Sequence, residues 1–292
     1  MMYGTIKNEF LTVTVAERGA ELQSICDANG VEYLWQGDPE YWSGRAINLF
    51  PYVARLSEGK YLLDGKPYDM GIHGFAPYSV FSLVKQETER MVWELADGPE
   101  TYRQYPRHFA FRIVYALNAN CLDITFEVEN RDDKTMYFGL GGHPGFNVPL
   151  APGVSFEDYR LRFHENCCPQ RVGFTKNKLR SGTDQPFLLE KGTILSLRHA
   201  LFDEDAIVLK NMARKVTLET EKDAHSITVT YPDMPYLGIW HCPKRDAPYV
   251  CIEPWCSLPS FDGEVTVLEK QTDLLQVEPG GCYKNHWSIQ IS

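Results

Sequence analysis

The chain has 292 residues, 43% of them hydrophobic, and a formal net charge of −10. That composition can fill a large core, and the acidity argues against nucleic acid or an anionic membrane as a partner. The first residues lack a basic segment followed by an apolar one, and no apolar run approaches the ~20 residues of a membrane span; a soluble, cytoplasmic protein is expected.

Asp38-Pro39-Glu40-Tyr41-Trp42 reads as the start of a short helix, with Asp38 as cap and Pro39 in the first position. Arg55 interrupts the apolar run Leu49–Leu56. It is either a buried guanidinium in need of acceptors, such as a carboxylate or a hydroxyl-rich ligand, or a surface arginine on an alternating strand. Asp64-Gly65 marks a tight hairpin. His73 stands between Gly71 and Gly74, either as a satisfied core histidine or as a site residue.

Leu122, Ile124, Phe126 and Val128 alternate with polar residues, the pattern of a strand with one wet face. His143 lies in Gly141-Gly142-His143-Pro144-Gly145, expected to be a turn that leaves the ring exposed at the end of a strand. Asp203 and Asp205 flank Glu204 just before an apolar run, and spacing alone does not choose between them. Val216–Thr220 and Ile227–Tyr231 alternate again. Glu253 follows the apolar Tyr249–Ile252 and precedes Pro254-Trp255, where partial desolvation would make its carboxylate a better base. Trp287, Ile289 and Ile291 close the chain with the same period of two. Many short strands, 18 prolines, 22 glycines and no linker predict one antiparallel β-sandwich domain over residues 1–292.

The eight cysteines read as reduced thiols. His241, Cys242, Cys251 and Cys256 suggest zinc only weakly, because no Cys-x-x-Cys pair is present; no metal is expected. Nucleophile-elbow, phosphate-loop and dinucleotide motifs are missing. What remains is His73, His143 and Glu253, two imidazoles and a carboxylate that could transfer protons near neutral pH. Trp240, Trp255, Phe75 and Phe146 lie close by in sequence, and a sugar's C–H face packs on such rings. Trp240 is the one expected to bind substrate.

Five segments in order, Leu49–Leu56, Ile72–Phe75, Gly141–Asn147, Leu201–Ile207 and Ala247–Trp255, resemble the aldose 1-epimerases, the galactose mutarotase-like proteins, and within them a LacX-type branch. The resemblance implies a large β-sandwich that interconverts the α and β anomers of a hexose without a cofactor. It implies His143 as general acid, Glu253 as general base, and Arg55, His73 and Asp205 as sugar-binding positions, with Asp205 preferred over Asp203. Three positions depart from galactose mutarotases: Ala54 and Gly142 stand where they have asparagine, and Pro254-Trp255 differs. The sugar therefore stays open. So do a non-catalytic carbohydrate binder, a glycoside hydrolase using Glu253 and Asp205, and a hexose-phosphate mutarotase with Arg45, Lys60 or Lys244 at the phosphate.

Overall fold

The computed structural model describes residues 2–292. Strands dominate, and they are antiparallel except where Thr266–Val267 runs parallel to the strand Lys60–Leu63. The alternating run becomes the strand Cys121–Asn130, in the interior of a nine-stranded sheet between Phe109–Asn118 and Cys282–Ile291. Its Leu122, Ile124, Phe126 and Val128 are completely buried, while the polar residues between them are half-exposed. Period two thus produced the one-sided burial expected of it.

A seven-stranded sheet faces this one across the core. Ala46–Leu49 forms one edge, followed by Gly141–Asn147, Tyr249–Trp255, Tyr236–Trp240 and Ile207–Lys210. The two sheets meet closely at Gly142, where a Cβ would lie 2.6 Å from the Trp287 ring. Glycine is required there by the approach of the opposite sheet. His143, the next residue, points to the other face.

Two local expectations need correction. Gly141–Asn147 is a strand, buried almost throughout, and not a turn. Its glycines are there for close packing, because Cβ atoms at Gly141 and Gly145 would crowd Trp255 and Trp42. The segment after Asp38 makes one turn and stops. Asp38 does cap it, accepting from the Glu40 amide at 2.9 Å, and the Trp42 amide bonds to the Asp38 carbonyl at 2.9 Å. Ser43-Gly44 then ends it before a helix forms. The α-helix instead spans Pro99–Gln104, opened by Gly98 and a proline. The Asp64-Gly65 hairpin is as expected, with both residues at positive φ (52° and 71°).

Candidate active site

The strands Gly141–Asn147 and Tyr249–Trp255 pair at Gly141↔Trp255 and again from Gly145↔Cys251 onward. Within that frame the register sets His143 directly opposite Glu253. Pro144 and Pro254 flank the pair, and neither has an amide proton to give the ladder. On its far side Glu253 is registered with Gly238, where a Cβ would come within 3.1 Å of the Glu253 Cβ. Absence of a side chain at Gly238 leaves room for the carboxyl.

The result is a contact between His143 Nε2 and Glu253 Oε2 of 3.3 Å, with the residues only 7% and 1% exposed. Burial holds the imidazole down to about 3. Burial, and then the Asp205 carboxylate, push Glu253 well above the usual carboxylate range, although the Trp255 indole opposes this slightly. Burial thus favours the neutral form of both groups, with one proton available to pass between Nε2 and the carboxyl. The titration near neutrality expected of an exposed imidazole is lost, because the ring sits in a strand under tryptophans and not in an open turn.

Trp42 covers the pair. Its ring lies 4.8 Å from that of His143, and Trp240 lies 5.7 Å from both. Trp42 had no signal in the sequence, since the turn after Asp38 is what swings it over a residue about a hundred positions away. Asp205 receives the Trp240 indole N–H at 2.9 Å and lies 3.6 Å from Lys178 Nζ. Lys178 also bonds the Glu204 carbonyl at 2.8 Å. Asp205 lines the cleft; Asp203 is exposed and does not.

His73 is held from both sides by one residue. Its amide bonds the Ala54 carbonyl at 2.9 Å, and its Nδ1 accepts the Ala54 amide at 3.2 Å. Burial, helped by His143 and Arg55, keeps the ring well below its ordinary pKa. It is a neutral imidazole with the proton on Nε2, its ring 5.5 Å from that of His143. Gly74 follows at φ +73°, where a Cβ would strike the Phe50 carbonyl at 2.3 Å.

Arg55 is exposed at the rim, so the buried alternative for it falls. All six expected site residues, Arg55, His73, His143, Asp205, Trp240 and Glu253, line one cleft of about 1020 Å³. Arg45, Lys60 and Lys244 do not line it. Arg45 is tied instead to the Gln23 carbonyl and the Gln36 side chain. The cysteine nearest the pair is Cys251: His143, Cys251 and Glu253 bring ligand atoms within 4.8 Å of one another, close enough to share a cation. His241, Cys242 and Cys256 are not in that group.

The arrangement offers proton transfer between adjacent groups in a cleft rich in aromatic rings and hydrogen-bond donors. The model of the family described as aldose 1-epimerase matches residues 3–266. The chromosomal LacX protein of Lactococcus lactis subsp. lactis is 34% identical over 294 residues, covering 98% of each chain. The solved structure of a galactose mutarotase related enzyme from Lactobacillus acidophilus superposes with a TM-score of 0.95 at 34% identity, covering 100% of this chain and 97% of that one. A galactose mutarotase-like protein from Lactobacillus casei gives 0.94 at 32% identity, with both chains covered completely. Sequence and fold agree: this chain belongs to the aldose 1-epimerase family, in its galactose mutarotase-like, LacX-type branch.

Proposed function

We propose that the protein interconverts the α and β anomers of an aldose by opening and closing the sugar ring, with His143 and Glu253 as the proton carriers and no cofactor. The observation that carries this is the register-matched pair with its 3.3 Å contact at the base of the cleft. The ring oxygen and the anomeric hydroxyl share one carbon, so the two carriers must be neighbours.

The proton inventory balances. Transfer of the shared proton from Glu253 to His143 Nε2 gives a carboxylate and an imidazolium. Glu253 then takes the proton of the anomeric hydroxyl while His143 gives its proton to the ring oxygen, and the C1–O5 bond breaks. The open-chain aldehyde now faces a neutral glutamic acid and a neutral histidine, the form that burial favours. The pair is thus in the same neutral form before the first transfer and after ring opening, and is charged only in between. Rotation about C1–C2 and reversal of both transfers close the other anomer. Positioned acid–base groups each supply roughly 10²–10⁴-fold. Neutral His73 presents an N–H, Arg55 a guanidinium and Asp205 with Trp240 a braced wall, which together would orient the sugar.

A glycosidase reading needs two carboxyls acting on one bond. Asp205 is occupied by Trp240 and Lys178, and Glu253 faces an imidazole. Two-dimensional exchange NMR on wild type, Glu253→Gln and His143→Asn tests the assignment. Anomer exchange should rise above the uncatalysed rate only with wild type; wild-type protein that leaves every aldose at its spontaneous rate makes this a binding protein.

A further inference from the structure

The cleft's charge runs against that of the molecule. The chain carries −10 overall, yet four basic side chains, Arg55, Arg171, Lys176 and Lys178, line the cleft against three acidic ones, Glu204, Asp205 and the buried Glu253. Basic groups outnumber acidic ones there. Lys178 is engaged with Asp205 and the Glu204 carbonyl. The side chains of Arg55, Arg171 and Lys176 have no ion-pair or hydrogen-bond partner among the described residues. Several guanidinium groups away from the cleft are matched: Arg107 pairs with Asp64, Arg112 with Glu94 and Glu129, Arg162 with Glu219.

Arg171 is the informative case, because it is half-buried, has no ion-pair or hydrogen-bond partner among the described residues and lines the cleft. A guanidinium withdrawn from water calls for an acceptor, and its planar fork fits phosphate or carboxylate. It begins a wall that continues to Lys176 and is anchored through Val172 and Phe174, which pack with Val53, Ala54 and Trp255. The volume of about 1020 Å³ lies at the upper end of the roughly 300–1,000 Å³ typical of small-ligand sites. One neutral hexose would leave much of it empty.

We infer that the Arg171–Lys176 wall binds an anionic group, phosphate or carboxylate, carried by the sugar at a carbon remote from the anomeric centre. The inference deepens the anomer-interconverting reading and rests on it only for where C1 lies.

Exchange NMR would compare glucose, glucose 6-phosphate and glucuronate, on wild type and Arg171→Gln. An anion held by charge-assisted hydrogen bonds should give kcat/KM roughly 10–100-fold above glucose, most of it in KM. Arg171→Gln should remove that gain and leave glucose unchanged, Arg171→Lys should restore part, and added salt should weaken it. A gain for the phosphate alone identifies phosphate as the ligand; a gain for both identifies any terminal anion. Equal kcat/KM for the three sugars, or an equal loss for all of them in Arg171→Gln, overturns the inference. If none of the three exchanges, the anomer reading fails and binding decides. Tryptophan-fluorescence titration of Glu253→Gln with glucose 6-phosphate should be tighter than with glucose and should weaken when Arg171→Gln is added. Equal affinity for the two sugars would reject the wall as an anion site.

Discussion

The two large sheets differ in how they use the second face of their strands. In the nine-stranded sheet the strand Cys121–Asn130 buries every other residue and leaves the rest to water. In the seven-stranded sheet Gly141–Asn147 and Tyr249–Trp255 are buried on both faces. The second buried face carries His143, Cys251 and Glu253 beneath Trp42 and Trp240. Simple alternation marks a strand that serves stability. Dense burial with glycine, proline and ionisable residues marks the strands that line the candidate site, at an electrostatic cost that packing elsewhere must offset.

Glu253→Gln tests the chemical side most strongly. It should slow anomer exchange by roughly 10²–10⁴-fold with circular dichroism unchanged. Its stability should also change with pH in a defined direction. The native carboxyl has a raised pKa, so the wild type is most favoured below the ordinary value of 4.5 and loses stability as pH rises toward the raised value. Glutamine removes that loss, and urea titrations at neutral and alkaline pH should show the variant gaining on wild type. His143 has the opposite sign. Its depressed value means stability is complete above about 6.5 and falls as pH drops toward about 3, a slope that His143→Asn should flatten.

Phe126→Ala tests the structural side. Phe126 is completely buried, and the cavity should cost about 3–5 kcal/mol by denaturant unfolding, with exchange per folded molecule unaltered. Loss of activity in the folded fraction would erase the proposed division between the sheets. Gly238→Ala probes their difference more finely. The new methyl would meet Glu253 and Trp255 at 3.1 Å, displace the carboxyl, and reduce exchange by up to about 10²-fold, at a stability cost near the low end of about 1–3 kcal/mol. Ala54→Gly should have the smallest effect. Ala54 sits at φ +59°, which glycine adopts without steric penalty, so thermal unfolding should show a gain of about 0.5–1 kcal/mol.

This contrast also explains what was legible in the sequence. Period two exposed the strands of the nine-stranded sheet, because their burial is one-sided and local. The glycines and prolines around His143 drew attention to the right residue and suggested the wrong backbone. The same small residues that allow a turn also allow Trp287, Trp255 and Trp42 to close on a strand. Five ordered segments carried the family resemblance, and with it Arg55, His73, Asp205 and Glu253. Trp42 and Arg171 stayed hidden because their approach to the cleft depends on contacts distant in sequence. The shared shift of His143 and Glu253 toward their neutral forms was hidden for a similar reason: desolvation belongs to the assembled cleft, and Tyr249–Ile252 hinted at it only for the carboxylate.

The clamp between Ala54 and His73 has a consequence for selectivity. With Nδ1 taken by a main-chain amide, the His73 ring cannot switch tautomer to suit its guest. Whatever rests against its free edge must supply a lone pair. A deoxy sugar lacking oxygen at that spot would strand a desolvated N–H and be turned away, whereas either epimer able to reach it would be accepted.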